Sequence, residues 1–159
     1  MGGVSMVAKD VMETELETVH PDDRLAHAAE LLEDYHHSIV PVIDEAGKLV
    51  GLLSEVDLLA FVLPVAPRDM QNLAFMPKSY QLRDLQQQDL REARVREAMT
   101  SDDLVTASED EPIAQIALAM VRHNVAHVPV LAEGKLIGQV CRNALIRQLV
   151  HPCLGIVCE

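Results

Sequence analysis

The sequence predicts an α+β fold built from two copies of one small unit, because the same series of motifs occurs twice. The first copy contains K-D-V-M from Lys9 and S-I-V-P-V-I-D-E-A-G-K-L-V-G from Ser38. The second contains R-E-A-M from Arg96 and A-H-V-P-V-L-A-E-G-K-L-I-G from Ala126. The copies are offset by about 87 residues at the first motif and about 88 at V-P-V. A period of this length that recurs once indicates two related units rather than a solenoid.

The first copy has the pattern strand, helix, strand, strand, helix. Apolar residues within 25–32 recur at i, i+3, i+4 and i+7, the spacing of an amphipathic helix. The run 39–43 is rich in β-branched residues but contains Pro41, so we expect a strand with an edge or an irregularity at the proline. Residues 44–47 are typical of a hairpin turn, and Ser54 opens a second helix. The predicted strands are residues 18–19, 39–43 and 48–53.

The second copy follows the same order. Its helical stripe consists of Ile113, Ile116, Ala117 and Met120, and Ser108 is predicted to cap that helix. One copy has about 55 residues and a three-stranded sheet, which is too little for a secure core. We therefore expect two pseudo-twofold-related β-α-β-β-α units that pack sheet to sheet.

The join between the copies is long. Pro64 and Pro67 break the helix before it, and residues 81–94 contain strong helix formers without Gly or Pro. A partial apolar stripe predicts an exposed helix there, and a charged spacer is an equally good interpretation. The stripe consists of Leu82, Leu85 and Leu90. The predicted domains are a first unit at 7–63, a partly helical join at 64–93, a second unit at 94–151 and a tail at 152–159.

Composition limits the classes of partner. The chain has 159 residues with 13 basic and 25 acidic side chains, a net charge of −12, which argues against general binding to nucleic acid or to anionic membranes. No apolar run approaches the ~20 residues of a membrane span, and no signal peptide is expected. Cys141, Cys153 and Cys158 lack the spacing of a disulfide framework, which fits the reducing cytoplasm.

The repeated order, the V-P-V strand, the G-K-L-(V/I)-G hairpin and the S-x-x-D helix start at Ser54 resemble a tandem CBS-domain pair, the Bateman module. The resemblance covers about residues 7–63 and 94–151. It implies a regulatory module with no catalysis of its own, which binds adenine nucleotides (AMP, ADP or ATP) in clefts between the paired sheets. It also implies a homodimer and an unidentified regulated protein. Two alternatives are a structural dimerisation module without a nucleotide, and a sensor of S-adenosylmethionine or a metal ion.

The resemblance assigns roles to residues of the first copy. Asp57 matches the acid that binds the ribose, since a carboxylate can accept hydrogen bonds from adjacent hydroxyls. Ser54, at the helix start, matches a phosphate contact. A purely structural alternative is that Ser54 caps the helix and Asp57 complements its dipole. The residues that match the adenine walls are Thr18, Val19, His20, Ile39, Val40 and Pro41.

The second copy departs from the family pattern. Cys141 and Ala144 stand where the first copy has Ser54 and Asp57, so we expect the second site to be degraded for a nucleoside. His127 and Arg142 are the basic candidates for contact with a phosphate. The alternative roles are a strand histidine packed between the copies for His127 and a solvated helix-start residue for Arg142.

Other chemistry has little support in the sequence. His36, His37, His123 and His127 lie on different copies without zinc-type spacing, and the tail residues His151, Cys153 and Cys158 form only a loose cluster. No nucleophile–base signature and no Gly-rich phosphate loop occurs. We therefore expect no metal, no catalytic residue and no obligatory cofactor.

Overall fold

The computed structural model describes residues 5–34, 38–62 and 91–157. Of the predicted join at 64–93, residues 64–90 lie outside these ranges. The helices are α1 (Ala8–Val11), α2 (Leu25–Asp34), α3 (Glu55–Val62), α4 (Val95–Ala98), α5 (Ile113–His123), α6 (Arg142–Leu145) and α7 (His151–Cys153), with a π-helical segment (Ile146–Val150) between the last two. The strands are β1 (Ile39–Ile43), β2 (Leu49–Ser54), β3 (Ala107–Ser108), β4 (His127–Ala132) and β5 (Lys135–Cys141).

The second copy contains three strands in the predicted order, and the first copy contains two. In the second copy, β3 pairs in parallel with β4, and β4 pairs antiparallel with β5. In the first copy, β1 pairs with β2, and Val19 adds a single parallel bridge to Val42 in place of a full third strand. The register of β4 against β5 shifts between Val130 and Leu131, next to the second V-P-V proline. The predicted α+β fold with two repeated units is confirmed.

The two hairpins differ in their turns, because the second copy has one residue fewer than the first between its V-P-V motif and the hairpin glycine. Between β4 and β5 only Glu133 and Gly134 remain, with φ angles of 53° and 80°, as a two-residue turn of primed type requires. The first hairpin has a longer turn, in which the Asp44 carboxylate accepts hydrogen bonds from the amides of Ala46 and Lys48, both at 2.9 Å.

The chain folds into two compact units whose composition does not follow the repeats. One unit combines Thr18–Val42 with Val50–Asp102, and its core contains Val95 of α4 together with Val42 and Leu53. The other combines Met1–Glu17 with Ile43–Leu49 and Asp103–Glu159, and its core contains Ala8 of α1 together with Ile116 and Val140. The short helix that begins each copy is therefore buried in the core that contains the long helix of the other copy.

Backbone hydrogen bonds fix these short helices at the starts of the long ones. The Ile113 amide, at the start of α5, donates to the carbonyl oxygen of Met6 at 3.0 Å. The Leu25 amide, at the start of α2, donates to the carbonyl oxygen of Ala93 at 2.9 Å. The residue that caps α5 is Pro112, which makes no side-chain cap bond, while Ser108 lies in β3. The prediction that Ser108 caps this helix was wrong, because backbone from the N-terminal segment supplies the acceptor.

Two glycines allow the segments that follow the short helices to reach the sheets. Thr100 forms a reciprocal pair of backbone hydrogen bonds with Leu52, at 2.8 and 2.9 Å, beside Gly51. A Cβ atom on Gly51 would lie 2.8 Å from the Met99 sulfur and 3.0 Å from the Thr100 carbonyl oxygen. The same arrangement recurs at Gly138, where a Cβ would lie 2.6 Å from the Met12 sulfur. A side chain at either position would push the segment that follows the short helix away from the sheet.

We predict that Gly51→Ala lowers the free energy of unfolding by about 1–3 kcal/mol, because the new methyl group meets backbone that cannot move without breaking the pairing with Leu52. Urea denaturation of the wild type and the variant measures this difference. Glu45→Ala in the exposed hairpin turn is the control, with an expected change within about 0.5 kcal/mol. Equal stability of Gly51→Ala and the wild type would show that the close approach is not a constraint.

Candidate functional site

The start of α3 holds a compact set of hydrogen bonds between Ser54 and Asp57. The Ser54 amide and hydroxyl both donate to the Asp57 carboxylate at 2.7 Å, and the Asp57 amide donates to the Ser54 hydroxyl oxygen at 3.2 Å. This reciprocal pattern has the geometry of a capping box, with an aspartate in the position that Glu usually takes. Both side chains are half-buried, so a face of the pair remains open to solvent.

The second carboxylate oxygen of Asp57 has a different partner. The hydroxyl of Thr100 donates to Asp57 Oδ1 at 3.0 Å, while Oδ2 is the oxygen that takes part in the cap. Thr100 reaches this point because its backbone pairs with Leu52 on β2. Two hydroxyl groups therefore converge on one carboxylate, at an exposed part of the surface.

The adenine-wall candidates belong to the same compact unit as Ser54 and Asp57. The Val19 amide donates to the Pro41 carbonyl oxygen at 3.1 Å, which joins the two wall segments. The side chains of Val19 and Val40 are 0% and 2% exposed and belong to the hydrophobic core, so they are not available to a ligand. Thr18 and Ile39 are half-buried, and His20 is exposed.

The helix start is also joined to the first of the hairpin strands. The Glu55 amide donates to the Ser38 carbonyl oxygen at 3.3 Å, directly before Ile39. This bond places the first turn of α3, which carries Asp57, near the beginning of β1. The eight first-copy candidates are thus brought together in one unit, namely Thr18, Val19, His20, Ile39, Val40, Pro41, Ser54 and Asp57.

His127 and Arg142 lie in the other unit. His127 is half-buried on β4, directly across from Cys141 on β5. Arg142 is exposed at the start of α6, and its guanidinium donates to the Val125 carbonyl oxygen at 3.3 Å. Cys141 is the N-cap residue of α6 but makes no side-chain cap bond.

The two compact units differ at one further position. Glu13 pairs with Gln139 through two backbone hydrogen bonds of 2.9 Å, which is how Thr100 pairs with Leu52 in the other unit. The unit that contains Gln139 therefore has an exposed carboxylate where the other unit has the Thr100 hydroxyl. Sequence reasoning missed both residues, although Thr100 and Glu13 follow the methionines of R-E-A-M and K-D-V-M directly.

The described residues show no group of three or more His, Cys, Asp or Glu side chains arranged to hold a metal ion. Of the histidines and cysteines considered from the sequence, His36, His37 and Cys158 lie outside the described residues. Cys141 and Cys153 are free thiols. Among the helices in the described ranges, each is too short or too polar to cross a bilayer.

Comparison with known proteins identifies the family. The model of the CBS domain matches the chain twice, at residues 8–64 and 95–151, and so covers most of its length. The chain belongs to the CBS-domain family. As a tandem CBS pair, it has the architecture of a regulatory ligand-binding module.

One relative of this CBS pair is an uncharacterized protein of Methanocaldococcus jannaschii, 32% identical over 94% of this chain and 95% of the relative. Other relatives are longer proteins, including the L-aspartate semialdehyde sulfurtransferase of that organism, and the chain spans only 23% of that enzyme's length.

Solved structures of CBS pairs resemble the chain closely. The structure of CBSX2 in complex with AMP has a TM-score of 0.69 and 25% identity, and it covers 92% of this chain and 98% of the other. The CBS pair of protein MJ0100, in complex with 5′-methylthioadenosine and S-adenosyl-L-methionine, has a TM-score of 0.66 and 25% identity, with coverage of 90% and 98%.

We predict that Ser54→Ala and Asp57→Ala each lower the free energy of unfolding by about 1 kcal/mol without any ligand, because each removes half of the cap of α3. Thermal or urea denaturation measures the loss. Thr100→Val keeps the side-chain shape and removes only an exposed hydroxyl, so we expect a change within about 0.5 kcal/mol. An Asp57→Ala variant as stable as the wild type would show that the carboxylate does not cap the helix.

Proposed function

We propose that this CBS pair is a regulatory module that senses adenine nucleotides (AMP, ADP or ATP) at the start of α3, without catalysis of its own. The observation that carries the proposal is the Asp57 carboxylate, which already accepts hydrogen bonds from the hydroxyls of Ser54 and Thr100. A site that gathers two hydroxyl donors on one carboxylate has the chemistry to hold the two adjacent hydroxyls of a ribose.

Ribose binding would exchange one set of donors for another. The ribose hydroxyls would replace the Thr100 hydroxyl on Oδ1 and the Ser54 hydroxyl on Oδ2, while the Ser54 amide keeps its bond to Oδ2. The carboxylate then remains fully hydrogen-bonded throughout, so the exchange leaves no buried acceptor unsatisfied. The released Ser54 hydroxyl becomes available to a phosphate at the N-terminus of α3, where the helix dipole favours negative charge.

The adenine is assigned to the edge formed by residues 18–20 and 39–41. Because the side chains of Val19 and Val40 lie in the core, the purine would be recognised by backbone groups of these residues together with the side chains of Thr18, His20 and Ile39. Backbone donors and acceptors can recognise the polar edge of an adenine without any charged side chain.

The relatives support adenosine as the shared part of the ligand. The CBSX2 structure contains AMP, and the MJ0100 structure contains 5′-methylthioadenosine and S-adenosyl-L-methionine. All three compounds carry an adenine and a ribose. The MJ0100 structure therefore favours S-adenosylmethionine as an alternative ligand of the same site. Thermal-shift measurements with AMP, ADP, ATP and S-adenosylmethionine separate these ligands, since saturation at 100 times the Kd stabilises the fold by about 2.7 kcal/mol.

The module would act by changing its assembly or the surface that it presents to a regulated protein. We propose a homodimer in the reducing cytoplasm, in which nucleotide binding shifts the population of two arrangements and the regulated protein binds one of them. His127 and Arg142 are proposed as basic groups that contact the phosphates. Light scattering that shows a monomer at micromolar concentration would contradict the dimer.

We predict that Asp57→Ala weakens AMP and ATP binding at least about tenfold, because it removes a charge-assisted acceptor of the ribose. Calorimetric titration measures the affinity, and circular dichroism verifies that the variant is folded at the temperature used. Glu55→Gln removes a negative charge from the same helical turn and should bind as the wild type does. Unchanged affinity in Asp57→Ala would refute the assignment of this carboxylate to the ribose.

We also predict that a second site can be created by restoring the first-copy residues in the second copy. The substitutions Cys141→Ser and Ala144→Asp supply the hydroxyl and the carboxylate. Glu13→Thr replaces the acid that would repel the new carboxylate. The new aspartate lies in the first turn of α6, where the helix dipole tolerates it. Calorimetry should then show a second, weaker binding event, whereas the same graft without Glu13→Thr should bind less well. A triple variant that still binds one nucleotide per chain would contradict this explanation of the asymmetry.

A further inference from the structure

The sheet register of the second copy brings a thiol next to an imidazole. His127 of β4 lies directly across from Cys141 of β5. The Arg142 amide donates to the Ala126 carbonyl oxygen at 2.8 Å, so His127 and Cys141 form a cross-strand pair of the type without mutual backbone hydrogen bonds. Such pairs have Cα atoms about 4.5 Å apart and side chains on the same face of the sheet. A thiol and an imidazole at this separation have the composition of a nucleophile and its base.

The Cys141 side chain has no part in the cap of the helix that it precedes. It is a free thiol on a half-buried residue, and it makes no side-chain cap bond to α6. In the first copy the equivalent hydroxyl, that of Ser54, donates to the Asp57 carboxylate at 2.7 Å. The second copy has Ala144 in place of that aspartate, so the side chain of Cys141 has lost this partner.

A buried acceptor on the same face points to a ligand beside the thiol. Gln139 and Cys141 are two residues apart on β5, and Val140 between them belongs to the hydrophobic core. Because side chains alternate along a strand, Gln139 and Cys141 both lie on the face opposite that core. Gln139 is 4% exposed, and its Oε1 atom is buried without a hydrogen-bond partner among the described residues.

The neighbours of Gln139 explain why this oxygen lacks a donor. Pro129 lies across from Gln139 on β4, and Glu13 lies across from it on the other side. A proline has no N–H group, and an ionised carboxylate only accepts hydrogen bonds. The first copy has Leu52 at the equivalent position, where no polar atom needs a partner. Since buried polar groups are nearly always paired, a molecule that carries an N–H group would complete this face.

We propose that Cys141 is a modification site, at which the thiol forms a mixed disulfide with a small peptide disulfide of the glutathione class. The His127 imidazole takes the thiol proton as the Cys141 sulfur attacks one sulfur of the disulfide. A new sulfur–sulfur bond forms, the old one breaks, and the departing sulfur takes up the proton and leaves as a thiol. The peptide disulfide is thus the oxidant, and its amide N–H groups can donate to Gln139 Oε1. The inference does not depend on nucleotide binding at the start of α3, and it gives the second copy a redox input of its own.

Peptide mapping by mass spectrometry after timed treatment with glutathione disulfide tests the site. Cys141 should be modified at least about tenfold faster than Cys153, although Cys153 is the more exposed residue, because only Cys141 has a base across the sheet. His127→Ile introduces the residue of the first copy and should slow the modification of Cys141 about tenfold or more, with the rate at Cys153 unchanged. Circular dichroism verifies that the variant is folded, and the comparison of the two thiols in the wild type needs no variant.

A second disulfide tests the role of Gln139. Gln139→Leu should slow the reaction of Cys141 with glutathione disulfide and leave its reaction with hydroxyethyl disulfide unchanged, because the latter carries no N–H group. Faster modification of Cys153 than of Cys141 in the wild type, or an unchanged rate at Cys141 in His127→Ile, would overturn the modification site. Equal rates of Gln139→Leu and the wild type with glutathione disulfide would overturn the assignment of a peptide ligand to Gln139.

Discussion

The structure depends on the burial of the two short helices, α1 and α4, with which the copies begin. Ala8 and Val95 are each 0% exposed, and each lies in a core whose long helix and hairpin come mainly from the other copy. A two- or three-stranded sheet with one long helix has little apolar surface to bury by itself. The short helix completes each core. The chain that joins this helix to the rest of its own copy must then pass from one unit to the other.

The candidate site is a consequence of the same arrangement. Once Val95 is buried, the chain continues through Met99 to Thr100, and Gly51 leaves the space in which this segment pairs with β2. Thr100, a residue of the second copy, thereby reaches Asp57 of the first copy and supplies it with a second hydroxyl. In the other unit the corresponding segment brings Glu13 to Gln139, so a carboxylate stands there in place of the Thr100 hydroxyl. The asymmetry thus comes from three positions rather than from the two visible at the helix start.

Local patterns predicted the local structure well. The apolar spacing of 25–32, the β-branched strands and the G-K-L hairpins correspond to α2, β1 and the two turns, because each depends on neighbours within a few residues. The packing of each short helix in the core of the other copy was not predictable. Helices α1 and α4 have four residues each, and their sequences contain no pattern that indicates a contact far along the chain. For the same reason the cap of α5 was misassigned to Ser108.

The site was predictable in its residue types but not in its chemistry. A capping box and a ribose-binding acid require the same Ser and Asp at the same spacing, so the sequence offers no means to separate them. The structure shows the capping role, in which Oδ2 accepts the hydrogen bond of the Ser54 amide and Oδ1 accepts that of the Thr100 hydroxyl, and the ribose role is the one we propose. Calorimetric titration of the wild-type chain with AMP tests this view most directly, since it counts the functional sites. One nucleotide per chain is the expected result, and two nucleotides per chain, or none at millimolar AMP, would contradict it.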